Sequence, residues 1–402
     1  MVGRRQLLDA PPDLAGGFMA RTILIAGSLA QRPGYGGHAW VFLQYLLGFR
    51  RLGWDVLFLD WLDETMCRDR AGNPSPLEDS WNLAYLRSVM REHGLDDAWS
   101  LNYNQGQRTL GRPREEVVDV AGHTEVLINV MGFLSDWEIL ERPRKRVFLD
   151  IDPGFGQMWQ DLGLATVFGG HDAYVTIGEN IGRADCEIPL CGKEWITTPQ
   201  PVVLEHWPVA TPAPDGAFTS IVSWRGPFGP VEYAGKTYGL RVHEFRKFVG
   251  LPHLTGQRFD LALDIDAGEV KDIALLKENA WNLADPRTVV SEPGDYRAFI
   301  QQSKAELMVA KNMYVQSRGG WMSDRSICYL ASGRPVLAQE TGFSRNHPSG
   351  EGLLSFTTLD EAQAGVEEIS RNYARHCQAA RRVAEEQFDS DKVLRRLLEQ
   401  VR

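Results

Sequence analysis

Short apolar runs separated by glycine, proline and aspartate turns recur through the first half of the chain. The first run, at residues 21–27, contains T-I-L-I-A-G and suits a strand that is covered on both faces. A glycine-rich loop, a helix-periodic stretch at residues 39–51 and a second run at residues 55–60 follow it. This order predicts a right-handed βαβ unit and a doubly wound parallel sheet. Further runs of the same kind stand at residues 125–130, 146–151 and 172–177.

The alternation of strand-like and helix-like segments continues in the second half. A proline-rich stretch at residues 187–215 suits no single regular element, so we interpret it as a linker between two domains. Apolar residues recur three and four apart between residues 358 and 401, which predicts helix. Strand-like runs of the second half stand at residues 218–224, 259–263, 306–310 and 335–338.

These patterns predict an α/β protein with two doubly wound domains of similar architecture. The first domain spans residues 21–200 and the second spans residues 201–385, with a C-terminal helix at residues 386–402. The length of 402 residues fits two domains of ordinary size. Residues 1–20 carry arginines, prolines and aspartates where a signal sequence has an apolar core, so we expect a disordered leader there.

Composition and charge narrow the classes of function. The chain is 43% hydrophobic and 24% charged, which is typical of a globular protein, and its formal net charge of -10 disfavours nucleic acid as a partner. Five scattered cysteines support neither a disulfide framework nor a zinc site, so we expect a cytoplasmic protein with no bound metal. No apolar run reaches the length of a membrane span. A homodimer is compatible with this composition.

The segment at residues 314–342 combines a glycine loop, a helix and a strand. The helix is predicted from Ser323, as N-cap, to Ala331, with Gly333 as its C-cap. Glycines before a helix N-terminus allow backbone N–H groups to face an anion, and Arg318 and Arg325 offer forked hydrogen bonds to phosphate. The alternative is that the glycines only form a tight turn before an amphipathic helix.

This segment resembles the donor-binding segment of GT-B glycosyltransferases. The resemblance rests on G-W-M-S at residues 320–323, a helix, G-R-P-V at residues 333–336, and E-T-G at residues 340–342. It implies two Rossmann-like domains that face a cleft, with the acceptor bound by the first domain and the donor by the second. It further implies a UDP-, TDP- or GDP-linked sugar as co-substrate, no permanently bound cofactor, and a small-molecule or glycan acceptor.

The resemblance also implies which residues bind the donor. Two positions depart from the family pattern: Arg318 stands where many members have a phosphate-binding histidine, and Ser326 stands where they have a ribose-binding glutamate. That ribose contact is either lost or taken over by Asp324. The expected donor-binding residues are Gly37, Ser223, Arg225, Arg318, Gly319, Gly320, Trp321, Ser323, Asp324, Glu340, Thr341 and Gly342.

Three residues of the first domain are candidates for catalysis. His38 follows the glycine loop after the first strand and is the best candidate for a base, unless it is a helix-start histidine packed on Tyr35. Asp60 follows the second strand and is expected to orient His38 or contact substrate. Asp152 follows a later strand and is a candidate acceptor ligand or base, against a purely structural role in a turn.

Other functions remain open at this point. A nucleotide-sugar epimerase or phosphorylase uses nearly the same fold, and a nucleotide-sugar-binding protein without turnover would account for the missing ribose glutamate. A Rossmann dehydrogenase is also possible, because residues 34–39 formally satisfy the G-x-G-x-x-A variant of the dinucleotide fingerprint.

Overall fold

The computed structural model describes residues 21–402, so the leader predicted at residues 1–20 lies outside the described part of the chain. The first domain is built on an eight-stranded sheet whose order is β4-β3-β2-β1-β5-β6-β7-β8, parallel except for the β3–β4 hairpin. Its strands are β1 (Thr22–Ala26), β2 (Asp55–Leu62), β3 (Trp99–Tyr103), β4 (Arg108–Gly111), β5 (Val126–Val130), β6 (Lys145–Asp150), β7 (Ala173–Thr176) and β8 (Trp195–Thr197).

The central strand of this sheet shows why the apolar runs form strands covered on both faces. Successive side chains of a strand point to opposite faces. Ile23 and Ile25 accordingly belong to the core on one face, whereas Leu24 and Ala26 belong to the core on the other. The covering helices are α1 (Gly36–Arg51), α2 (Trp81–Glu92), α3 (Arg114–His123), α4 (Trp137–Leu140) and α5 (Phe155–Asp161).

The second domain contains a six-stranded parallel sheet in the order β13-β12-β9-β14-β15-β16. This is the strand order of the dinucleotide-binding Rossmann fold, in which ligands bind at the carboxyl edge where the order reverses. The strands, including the small β10–β11 hairpin outside the sheet, are β9 (Phe218–Ser223), β10 (Val231–Tyr233), β11 (Lys236–Tyr238), β12 (Phe259–Asp264), β13 (Trp281–Ala284), β14 (Ala305–Met308), β15 (Val336–Gln339) and β16 (Leu353–Phe356).

The helices of the second half complete the domain and return to the first. They are α6 (Arg241–Phe245), α7 (Leu251–Thr255), α8 (Val270–Glu278), α9 (Pro286–Val289), α10 (Pro293–Gln302), α11 (Asn312–Ser317), α12 (Asp324–Ala331), α13 (Leu359–Arg371), α14 (Tyr373–Val383) and α15 (Ser390–Val401). None of the helices within residues 21–402 has the length and apolar character that crossing a bilayer requires.

Two expectations about regular structure need correction. The stretch at residues 187–215 is not all linker, because β8 lies inside it and pairs in parallel with β7. The helical stretch from residue 358 onward is three helices, interrupted at Asn372 and by a π-helical turn at Ala384–Phe388. The last helix, α15, packs on α1 of the first domain, where Leu394 lies against Gly48. The end of the chain therefore ties the second domain back to the first.

The carboxyl edges of the two sheets face each other and are joined by polar contacts. Asp152, after β6, forms an ion pair with Lys311, after β14, at 2.9 Å. Asn180, after β7, donates through Nδ2 to the carbonyl oxygen of Gly342 at 2.9 Å. Glu179 forms an ion pair with His347 of the second domain. The β6 and β7 side of the first sheet is thus occupied by domain contact.

His347 makes the interdomain contact sensitive to pH. Its Nδ1 lies 2.6 Å from Gln387 Oε1 and its Nε2 contacts Glu179, so both ring nitrogens face oxygen atoms. Burial alone lowers the pKa of His347, but the hydrogen bond and the charge of Glu179 outweigh it and raise the pKa above 6.5. The charged pair is therefore complete below that value and is lost as the pH rises through the raised pKa.

We predict that Glu179→Gln destabilises the protein more at pH 6 than at pH 9. At pH 6 the variant loses the charged hydrogen bond to the His347 imidazolium, which costs about 2 kcal/mol of stability. At pH 9 His347 is neutral, so the contact that is lost contributes less to stability. Thermal unfolding of wild type and variant across this range measures the difference. An equal loss at both pH values would contradict a charged His347.

Candidate active site at the domain interface

A cavity of about 170 Å3 lies where the loop between β1 and α1 meets the second domain. We call it the central cavity. Gly37 and His38 line it from the first domain, and Ser223, Asp324 and Arg325 line it from the second. It therefore lies at the reversal point of both sheets, next to β1 in the first and β9 in the second.

Two helices begin at the central cavity, and each brings backbone N–H groups to it. In the first turn of α1, Gly36 donates to the carbonyl oxygen of Val290 at 3.2 Å, and the N–H groups of Gly37 and His38 precede the first intrahelical bond. The first turn of α12 is placed likewise, with Ser323 as its N-cap. The positive ends of two helix dipoles therefore meet at one small space, which favours an anion.

Arg325 adds a charged group whose hydrogen bonding is incomplete. Only 7% of the residue is exposed. Its Nε donates to Glu306 Oε1 at 2.5 Å and its Nη1 donates to the carbonyl oxygen of Ile221 at 2.8 Å. Its Nη2 is buried and has no partner. Oε2 of Glu306 is also buried without a partner. An unpaired buried donor is costly, and Arg325 is part of the lining of the central cavity.

Two carboxyl groups also border the central cavity. Asp264 accepts a hydrogen bond from the Ser223 hydroxyl at 3.1 Å. Burial raises the pKa of Asp324, against the charge of Arg325 and hydrogen bonds from the backbone N–H groups of Arg325 and Asp324. The border of the cavity therefore contains acidic as well as basic groups.

His38 presents one free nitrogen at the edge of the central cavity. Its Nε2 lies 3.1 Å from the carbonyl oxygen of Ser28 and 3.2 Å from the hydroxyl oxygen of the same residue. In the tautomer that donates Nε2–H to the carbonyl oxygen, the lone pair is on Nδ1. Burial, with a smaller contribution from Arg32, lowers the pKa of His38 to about 4. The imidazole is therefore neutral near pH 7, which is the state that a base requires. Its ring packs edge-on against Phe42.

The structure places Asp60 and Asp152 apart from His38. Asp60 accepts from the backbone N–H groups of Ala30, at 2.6 Å, and Trp61, at 2.7 Å. Burial raises the pKa of Asp60 to about 8 against these hydrogen bonds. Asp152 is engaged by Lys311 and Tyr314 in the domain interface. Asp60 thus holds the β1–α1 loop in place, and Asp152 joins the two domains.

The glycine segment before α12 packs against the first domain. An added Cβ at Gly319 would lie 2.7 Å from Ile188, and one at Gly320 would lie 2.9 Å from Asn180. The backbone N–H of Asn180 donates to the carbonyl oxygen of Gly319 at 2.9 Å. Arg318 is exposed and has a left-handed φ of 52°. In this structure these glycines allow two domains to approach closely.

The turn after β15 holds the same segment from the other side. Thr341 is fully buried and donates its hydroxyl to the carbonyl oxygen of Trp321 at 2.5 Å. Glu340 accepts from the backbone N–H of Gly342 at 2.6 Å. Trp321 stacks on Tyr314, with ring centroids 4.1 Å apart. Trp321, Glu340 and Thr341, which were predicted to bind the sugar-nucleotide donor, thus make contacts within the protein.

The residues that were predicted to bind the donor therefore lie in different places in the structure. Gly37, Ser223 and Asp324 meet His38 at the central cavity. Arg225 lies in a neighbouring cavity of about 290 Å3, paired with Glu269. The residues that pack in the interface and do not line the central cavity are Gly319, Gly320, Trp321, Glu340, Thr341 and Gly342. Arg318 joins them only through its carbonyl oxygen, which accepts from Asn180 Nδ2, and its side chain is exposed.

A third cavity, of about 690 Å3, lies within the first domain at the carboxyl ends of β2 and β3. We call it the lateral cavity. Asp60 borders it, together with Asn102 and Thr109 of the β3–β4 hairpin. This hairpin is absent from the strands predicted above. The pattern that indicates it is the pair of strand-like runs W-S-L-N-Y and R-T-L-G around an N-Q-G-Q turn.

Comparisons with known proteins agree with this architecture. No protein-family model and no curated protein matches the chain. Among solved structures, a glycosyltransferase from Rickettsia africae aligns with a TM-score of 0.51 and 12% identity over 96% of this chain and 98% of its own. The chain has the GT-B fold.

Other GT-B structures align over similar lengths. HepE of Anabaena, solved in complex with UDP-glucose, aligns with a TM-score of 0.55 and 12% identity over 94% of this chain and 98% of its own. An alpha-glucosyltransferase in complex with UDP and DNA has a TM-score of 0.56 and 10% identity, over 96% of this chain and 100% of its own. At these identities the likeness is one of fold.

We predict that Gly342→Ala destabilises the protein by about 2 kcal/mol. Gly342 has a φ of 91°, and an added Cβ would lie 2.5 Å from Asn180 Nδ2 and 2.8 Å from the carbonyl oxygen of Arg318. Gly182→Ala is the matched control, because Gly182 also has a φ of 91° and nothing lies within 4 Å of its added Cβ. Chemical denaturation measures both variants. Equal stability of the two would contradict close interdomain packing at Gly342.

Proposed function

We propose that this protein is a glycosyltransferase that uses a nucleotide diphosphate sugar. The observation that supports this most is the central cavity, where two helix N-termini meet the unpaired Nη2 of Arg325. We place the diphosphate there, with the first turns of α1 and α12 around it. The occurrence of UDP and UDP-glucose in the Anabaena and alpha-glucosyltransferase structures makes a UDP-linked sugar the first donor to test, and UDP the first nucleotide.

The groups around the central cavity are placed to stabilise the negative charge that develops during sugar transfer. When the bond between the anomeric carbon and the diphosphate breaks, negative charge accumulates on the leaving oxygen. Fixed N–H groups and a guanidinium stabilise that charge without reorganisation, because they are already oriented by the fold. Arg325 is oriented by Glu306 and Ile221, so its free nitrogen has a defined direction.

In this proposal His38 is the base that takes the proton of the acceptor hydroxyl. Its Nδ1 is unprotonated near neutral pH and it borders the central cavity. We place the body of the acceptor in the lateral cavity, with its reacting hydroxyl extending past the loop that Asp60 holds to reach His38 at the central cavity. In this proposal the first domain provides both the base and the acceptor space.

The alternatives use the same cavity with different outcomes. An epimerase or phosphorylase would act on the donor without an acceptor, and a binding protein would hold it without reaction. Neither is favoured by a specific contact. The fingerprint at residues 34–39 has a structural explanation, since an added Cβ at Gly34 would lie 2.2 Å from Trp81 and one at Gly36 would lie 2.5 Å from the Glu292 carbonyl oxygen. The homodimer and the cytoplasmic location stay predictions.

We predict that UDP raises the melting temperature of the protein and that Arg325→Lys removes most of this effect. Lysine keeps the charge opposite Glu306 but cannot supply both the Glu306 contact and a free donor to a phosphate. Loss of one charge-assisted hydrogen bond corresponds to roughly tenfold weaker UDP binding.

Arg318→Lys is the matched comparison, because Arg318 is exposed and the sequence assigned it the phosphate contact. We expect this variant to retain the UDP effect. If Arg318→Lys abolished the effect and Arg325→Lys retained it, the phosphates would lie at the glycine segment. Calorimetric titration of UDP into both variants distinguishes the two sites.

We predict that His38→Asn lowers kcat for sugar transfer by about a hundredfold or more while the Kd for UDP changes little. Asparagine keeps a donor toward the Ser28 carbonyl oxygen but provides no base. In the wild type, the low pKa of His38 predicts no loss of activity between pH 8 and pH 6 from this residue. Transfer activity retained in the variant would exclude His38 as the base.

A further inference from the structure

The lateral cavity has a size that limits what it can hold. Its volume of about 690 Å3 falls within the range of small-molecule pockets. The antiparallel strand β4, which the doubly wound order does not require, forms its outer wall. The cavity therefore suits a small molecule held between the sheet edge and the hairpin.

One wall of the lateral cavity offers neutral polar groups. Ser100 and Asn102 lie two residues apart on β3, and Thr109 lies directly opposite Asn102 on β4, so all three share one face of the hairpin. The Oδ1 atom of Asn102 is buried and has no hydrogen-bond partner. A carbonyl oxygen in this position accepts from a hydroxyl or an amine and not from a deprotonated acid.

The rest of the lining includes apolar groups. Leu59 of β2, which pairs with Ser100, and Val117 of α3 and Ile139 of α4 line the cavity and belong to one hydrophobic cluster. Phe133, after β5, extends this surface. A pyranose ring or an aromatic group has the matching character, with one flat apolar side and hydroxyl groups at its edge.

The charges at the lateral cavity disfavour an anion. Its lining includes three aspartates, Asp60, Asp63 and Asp136, and one cation, Arg114. The guanidinium of Arg114 is already bound by Asp136 and by Glu138, the latter at 2.7 Å. Two carboxylates thus compensate this one cation, and Asp63 adds a further negative charge, so the lining opposes an anionic ligand.

The tip of the hairpin has an unusual backbone conformation. Asn104 and Gln105 have φ values of 50° and 57°, and Gly106 follows with 91°. Two consecutive residues other than glycine in the left-handed region cost conformational energy, and such strain is concentrated at ligand sites. Gln105 and Gly106 line the lateral cavity, so this tip holds its polar side chain over the cavity.

From this geometry we infer that the acceptor is a small uncharged molecule with an apolar ring face and several hydroxyl groups, such as a simple glycoside, and that phosphorylated or carboxylated acceptors are excluded. The inference rests on the proposed function for the transfer step. The binding preference itself does not depend on it, because it follows from the lining of the lateral cavity alone.

The test compares two probes that differ in one group. 4-Nitrophenyl β-D-glucoside and 4-nitrophenyl β-D-glucuronide share their ring and aromatic group, but the second carries a carboxylate. Titration into the UDP-bound full chain, followed by NMR, should give a Kd for the glucoside at least about tenfold lower than for the glucuronide. Thr109→Val should weaken glucoside binding because it removes a hydroxyl group without changing the side-chain shape.

A double variant makes the charge at the lateral cavity more positive. Asp136→Asn with Glu138→Gln releases the Arg114 guanidinium, so the ratio of the two Kd values should fall by about tenfold. Asp185→Asn is the control, because it releases Arg345 from a similar exposed pair outside the lateral cavity. It should leave the ratio unchanged.

Three results would overturn the inference: no saturable binding of the glucoside, equal or tighter binding of the glucuronide by the wild type, or a ratio that the double variant does not change. UDP binding is measured in the same samples. Its absence would count against the proposed function, whereas UDP binding with a reversed probe preference would overturn only the assignment of the acceptor class.

Discussion

Arg325 occupies the point where three parts of the second domain meet. It extends from the first turn of α12, forms an ion pair with Glu306 of β14 and donates to the Ile221 carbonyl oxygen of β9. Glu306 is fully buried, so removing the guanidinium would leave a buried carboxylate without a partner. The same two contacts fix the position of α12 over the sheet and the orientation of the Arg325 guanidinium at the border of the central cavity.

The contact between the domains determines what remains open for ligands. On the first sheet, the strand ends at β6 and β7 contact the second domain through Asp152, Glu179 and Asn180. The strand ends on the other side, at β2 and β3, border the lateral cavity. The loop after β1 lies between them at the central cavity. The contact between the domains thus leaves two spaces open. The smaller is the central cavity, which favours an anion, and the larger is the lateral cavity, which suits a neutral ring.

Much of the fold follows from local sequence, because a strand buried on both faces must be apolar throughout. The run at residues 21–27 predicted β1, and Ser323 was correctly predicted as the N-cap of α12. The β3–β4 hairpin was missed because its strands are partly polar, as a wall of a cavity must be.

The candidate site was less predictable, for a physical reason. Glycines at residues 319, 320 and 342 indicate that something approaches the backbone closely, and sequence cannot distinguish a phosphate from Asn180 of another domain. The importance of Arg325 depends on partners 19 and 104 residues away in the chain. Such contacts are set by tertiary packing and leave no local pattern.

The most direct measurement is a crystal structure of the protein with UDP. We predict that the diphosphate lies between the first turns of α1 and α12, with an oxygen atom within hydrogen-bonding distance of Arg325 Nη2. A diphosphate bound instead at Arg318 and the glycine segment, or away from both helix N-termini, would contradict it.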